Sequence, residues 1–161
     1  MKWEIHNVYG LFHVITATIA MISAIIVLLS KKGTVFHKKV GYVYISCIVL
    51  LNISSFGVME FVKGQPGPFH FGAIISLIFT ALGIIPAIRK TNKNWLRKHY
   101  YYINGSVIGL FSAFFVESVF RSFESKVVVT TVTIAISMVT AIVGTLLMLK
   151  YRSRFFAGPK L

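Results

Sequence analysis

Residues 8–30 read VYGLFHVITATIAMISAIIVLLS, 23 residues with no Asp, Glu, Lys or Arg and a single histidine, His13. A helix of this length crosses the roughly 30 Å hydrocarbon core of a bilayer. The run exceeds the apolar part of a cleaved leader and no small-x-small site follows it, so it is expected to stay in the membrane. Four stretches of similar character follow, which predicts five spans at about 8–30, 40–62, 70–88, 100–120 and 127–149. The third is the shortest and carries Pro86 near its end, where a kink or an early stop is expected.

Composition agrees. Of 161 residues, 56% are hydrophobic and 13% charged, about half the charged share of a soluble domain. Mean hydropathy is +0.77. The expected fold is an all-α membrane protein, a single domain over residues 1–161. Spans one to four form an up-down four-helix bundle, and a fifth helix, rich in Val, Thr and Ile and lacking histidine, braces it from outside.

The formal charge of +13 is distributed by membrane side. Thirteen of the 17 basic residues fall on one side. They are Lys31, Lys32, Lys38 and Lys39 between spans one and two; Arg89, Lys90, Lys93, Arg97 and Lys98 between spans three and four; and Lys150, Arg152, Arg154 and Lys160 in the tail. Lys2, Lys63, Arg121 and Lys126 fall on the other, as do all four acids, Glu4, Glu60, Glu117 and Glu124. The positive-inside rule then places the N-terminus outside and the C-terminus in the cytoplasm, in the cell membrane. Basic loops at that face suit anionic lipid, and the nucleic-acid reading of a high charge is set aside. The lone cysteine, Cys47, lies inside span two and reads as packing material.

Four of the five histidines, His13, His37, His70 and His99, each sit near the start of a different span, 24, 33 and 29 residues apart. Because successive spans reverse direction, His13 and His70 should share the outer face, and His37 and His99 the inner one. Helices one and three are diagonal in such a bundle, as are two and four. With neighbouring axes about 8–10 Å apart, the diagonals leave room for two imidazoles to hold a planar cofactor. Ionisable residues inside spans carry a functional expectation, and neutral imidazole is a haem-iron ligand. Ala17, Ala20 and Ala24 form a narrow stripe below His13, suited either to a flat ring or to close helix packing. Gly41 and Gly105 remove bulk near His37 and His99. Tyr42, Tyr44, Tyr100, Tyr101 and Tyr102 surround that layer, as hydroxyl donors or as an interfacial aromatic belt.

The outer histidines have a competing use. Glu60, Glu117 and Arg121 approach the same surface, and His13, His70 and Glu117 form a candidate site for zinc or another divalent metal. Glu117 and Arg121, four residues apart, also read as an ion pair. No HExxH, paired cysteine or nucleophile motif occurs.

The stretches KKGTVFHKKVGYVY (31–44), GPFHFG (67–72) and RKHYYY (97–102) resemble a bacterial family of small membrane proteins classed as a domain of unknown function, over about residues 10–121. In its layout the chain is also similar to the transmembrane dihaem cytochromes b, a group that includes ascorbate-dependent ferric reductases. That resemblance implies one or two b-type haems, His13 pairing with His70 and His37 with His99. It implies a transmembrane oxidoreductase that carries electrons from a quinol or small reductant to an outer acceptor. The chain departs from the group in its length, its short first histidine spacing and its lack of an ascorbate motif. A cofactor-free scaffold or regulator is the remaining expectation.

Overall fold

The computed structural model describes residues 8–57, 68–120 and 126–156. Apart from short links these are helical, with no strand among the described residues. Five long helices, α1 (Val8–Leu29), α2 (Val35–Ser55), α3 (Pro68–Arg89), α4 (Trp95–Phe120) and α5 (Lys126–Tyr151), are followed by the one-turn α6 (Ser153–Phe156).

Several polar side chains are satisfied within their own helix. In α1, the Thr16 hydroxyl donates to the Phe12 and His13 carbonyls and Ser23 to those of Ile19 and Ala20. Hydroxyls satisfied within their own turn are compatible with a bilayer, where water cannot serve them. Apolar side chains cover the outside: Ile22, Phe71, Ile75, Ile88, Val139 and Leu146 are each more than half exposed. A continuous apolar exterior of this extent has lipid as its natural solvent.

Two helices begin five residues earlier than the hydropathy boundary. Thr34 N-caps α2, its hydroxyl accepting the His37 amide at 3.1 Å. Lys38 and Lys39 therefore belong to the helix and not to a loop. An Asn92–Asn94 turn starts α4: the Asn94 amide donates to Asn92 Oδ1 at 2.8 Å and the Trp95 amide to the Asn92 carbonyl at 2.9 Å. The links at 30–34 and 90–94 are thus only five residues long, and each contains one residue of positive φ, Gly33 (78°) and Lys90 (50°). Pro86 does not end α3, which continues to Arg89. Its ring removes one donor while its own carbonyl still accepts the Lys90 amide at 2.9 Å.

Four helices, α1, α3, α4 and α5, are long and apolar enough to cross a membrane. The described part of α2 takes in Lys38, Lys39 and Asn52, and the end of its expected span, 58–62, lies outside the described residues.

α1 packs on α2, α2 on α3, α3 on α4, and α4 closes the ring on α1; α5 lies outside, against α4. The diagonal pairs α1–α3 and α2–α4 do not approach along their backbones. Side-chain contacts fix the neighbours as antiparallel, because each joins the start of one helix to the end of the next. Ser30 meets His37, His13 meets Ser54, Phe56 meets His70, Gly83 meets His99 and Tyr100 meets Met148. Close approach of α3 and α4 depends on glycine: a Cβ on Gly83 falls 2.8 Å from the Ile103 side chain and 3.0 Å from its backbone nitrogen.

The centre is full. Ala20 and Ala24 are wholly buried against Tyr44, Ile48, Leu51, Ile103, Val107 and Leu110. Three hydroxyls join three helices there, Tyr44 to Ser106 at 2.8 Å and Thr80 to Ser106 at 2.9 Å.

Candidate functional site

The four histidines separate into two layers at opposite ends of the ring. His13 and His70 both meet the last turn of α2 and the residue that caps it: His13 through Ser54, and His70 by its ring, 5.4 Å from that of Phe56. His37 and His99 lie at the other end, near enough for His99 to act electrostatically on His37. Along α2 the layers are 17 residues apart, from His37 to Ser54, or about 25 Å at 1.5 Å per residue.

The tautomers follow from hydrogen-bond accounting. Ser54 Oγ donates its one proton to the Leu51 carbonyl at 2.8 Å, so its contact with His13 Nδ1 at 2.9 Å has the imidazole as donor. Ser30 Oγ likewise donates to the Val27 carbonyl at 3.0 Å, which makes His37 Nδ1 the donor to Ser30 at 3.0 Å. His99 Nδ1 donates to the Gly83 carbonyl at 3.0 Å. His37 and His99, on two helices, are therefore held with the proton on Nδ1 and the lone pair on Nε2. An outer partner on one ring nitrogen is what fixes tautomer and orientation in a metal-ligating histidine. The fourth, His70, is buried, with 4% of its surface exposed.

Charge differs between the ends. At the His37–His99 end the Lys32 ammonium donates to the Val27 and Leu28 carbonyls at 2.5 and 2.8 Å and lies 5.7 Å from the Phe155 ring centre. Burial, then the Lys32 charge and His99, pushes the His37 imidazole below its ordinary value and keeps it neutral, the form that binds metal. At the His13–His70 end Glu117 is half-buried near the end of α4, while Glu60 and Arg121 lie outside the described residues. Among the described residues no three His, Cys, Asp or Glu side chains converge on a metal-sized site, so Glu117 is not brought into a cluster with His13 and His70.

Several residues grouped by sequence position turn out to be structural. The Ala17, Ala20 and Ala24 stripe admits α2 and α4 side chains, not a flat ring. The space beside Gly105 is taken by the Phe79 ring, 2.6 Å from a Cβ placed there. Tyr44 spends its hydroxyl on Ser106, and Tyr100 donates to the Met148 carbonyl at 2.6 Å. Gly41, one turn after His37, does face open space. Cys47 packs against the core. The orienting groups Ser30, Ser54 and Gly83 had no signal in sequence, since hydroxyl and glycine positions are common throughout the chain.

No curated protein and no solved structure matches the chain. A family model described as a predicted membrane protein, DUF2306, matches residues 10–152, and so includes α5 as well as the four-helix ring. The chain is a member of the DUF2306 family of membrane proteins.

Proposed function

We propose that this protein is a five-span haem-binding membrane protein that carries electrons between the two faces of the cell membrane. The observation that carries the reading is the shared tautomer of His37 and His99, each with Nδ1–H tied to a serine or a carbonyl and Nε2 left basic. Axial ligation of a b-type haem needs that arrangement on two facing helices. His37 with His99 supplies an inner pair from α2 and α4, and His13 with His70 an outer pair from α1 and α3.

When bound, haem supplies a one-electron iron couple whose potential depends on burial and surrounding charge. The chain's own work is to orient the imidazoles, to keep His37 neutral, and to fill the bundle centre so that water is excluded between the layers. In this reading α2 crosses the membrane with the other four, its Lys38 and Lys39 stems reaching out to the interface. Thirteen basic residues then face the cytoplasm beside anionic lipid, with the N-terminus outside. A quinol or small anionic reductant is the donor class that such a face attracts.

The test is the visible spectrum of detergent-purified protein from cells supplied with a haem precursor, oxidised and then dithionite-reduced. Sharp reduced α and β bands, with one or two haems per chain by pyridine haemochrome, are expected. A featureless spectrum despite ample haem refutes the reading; zinc or another divalent metal in elemental analysis then favours a His and Glu metal site.

A further inference from the structure

The turn α6 folds back onto the bundle at the His37–His99 end. The amides of Phe155 and Phe156 donate to the Arg152 carbonyl at 3.0 and 3.2 Å, which turns the chain where α5 ends. The Phe155 ring then lies 5.0 Å from that of Tyr100 and 5.7 Å from the Lys32 ammonium, and Phe156 stacks on Tyr101 at 6.2 Å. One turn of chain thus joins the end of α5, the start of α4 and the 30–34 link. Arginines lie over rings of the same group. The Arg97 guanidinium is 5.9 Å from the Tyr101 ring centre, and that of Arg154 is 4.9 Å from Tyr151. A guanidinium held over an aromatic face keeps its N–H edge for an anion. Arg97, Arg152 and Arg154 are exposed, and so are the Tyr151 and Phe156 rings, at 38% each.

Exposed rings and guanidinium groups together at the end of long apolar helices have the composition of an interfacial anchor, with rings at headgroup level and charge toward phosphate. We infer that α6 and the start of α4 form a docking surface for acidic phospholipid. Arg97 and Arg154 donate to lipid phosphate, and Tyr151 and Phe156 lie among the upper acyl chains. An acidic headgroup suits this surface better than a zwitterionic one, whose own cation competes with the arginines for its phosphate. The exposed rings make the occupant a lipid, since a soluble anion leaves them in water. Lipid binding also relieves repulsion among the basic groups that the turn gathers, and so fastens to the ring a helix, α5, whose other packing is on α4. The inference goes beyond the haem reading and holds whether or not a cofactor is bound.

The test is native mass spectrometry of the full chain in dodecyl maltoside, given equal amounts of phosphatidylglycerol and phosphatidylcholine with the same acyl chains. The parent should retain phosphatidylglycerol over phosphatidylcholine by about tenfold, the scale of one or two arginines at an acidic surface. Arg97→Gln combined with Arg154→Gln should bring that ratio close to one. Phe155→Ala combined with Phe156→Ala should lower it with every arginine still present; if that variant does not fold, the arginine pair decides alone. Lys38→Gln combined with Lys39→Gln removes the same charge from the same end, at exposed positions away from the turn, and should keep the parent's ratio. No preference in the parent overturns the assignment. An equal loss in the lysine variant overturns it too, by reducing the effect to diffuse attraction. Displacement of phosphatidylglycerol by millimolar inorganic phosphate does the same, because the surface would then read a free anion. A featureless visible spectrum, which refutes the haem reading, leaves each of these outcomes unchanged.

Discussion

The two ends of the ring carry the same histidine chemistry in different surroundings. At one end, His37 and His99 lie near the half-buried Lys32, and each is oriented by a group within its own helical hairpin. At the other end, His13 reaches a serine 41 residues away, and His70 is buried against an aromatic ring. Under the proposed haem reading, ligands of one type in unlike fields should differ in potential, because positive charge favours the reduced, less positive iron. A membrane electron carrier needs two sites that are similar in ligation and distinct in energy.

The largest test of that contrast removes ligands one end at a time. His37→Ala or His99→Ala should eliminate the inner haem and leave the outer, halving the haem per chain in a two-site protein. His13→Ala or His70→Ala should do the converse. A pyridine haemochrome count on each variant checks this, and a single substitution that removes both haems would break the independence of the ends.

Next come the orienting hydroxyls. Ser30→Ala and Ser54→Ala leave the imidazoles in place but remove the acceptors of their Nδ1 protons. Loss of such outer partners typically weakens metal binding by about 10–100-fold, measurable by haem titration. If only Ser30→Ala has an effect, the outer histidine is not held for ligation.

Backbone spacing gives a smaller effect. Gly83→Ala should cost about 1–3 kcal/mol by forcing α3 from Ile103, and it should disturb the carbonyl that holds His99. Gly41→Ala meets open space and should leave stability nearly unchanged. Thermal unfolding in detergent compares the two.

The smallest effect is on pH. His37 has a folded value below the ordinary 6.5, so between the two values the unfolded chain binds more protons. Stability of the cofactor-free protein is therefore complete above about pH 6.5 and declines as the pH falls below it. His37→Gln should flatten that decline in thermal melts between pH 7 and 5. A steeper decline in the variant would place the dominant titrating group elsewhere.

Much of this architecture was legible in the chain. Apolar run lengths gave the helices, and the position of a histidine near the head of each of the first four gave the alternation between ends, because reversal of direction is geometric. Two helix starts were not legible from hydropathy: Lys38, Lys39, Arg97 and Lys98 look like loop residues until Thr34 and the Asn92–Asn94 turn are recognised as caps. The alanine stripe and Gly105 looked like room for a ligand and serve packing, since small residues answer both needs. Ser54 could not be matched to His13 by reading along the chain, for their contact is created by the antiparallel packing of α1 on α2.

The five-residue link at 30–34 has a consequence for biogenesis. Ser30 and His37 are seven residues apart and lie on either side of this turn, so their hydrogen bond needs only the first hairpin. Gly83 and His99, 16 residues apart, need only the second. Each inner imidazole is thus oriented as soon as its own pair of helices leaves the insertion machinery. In the proposed reading the His37–His99 pair is complete when two preset hairpins dock, with little left to search for in the bilayer.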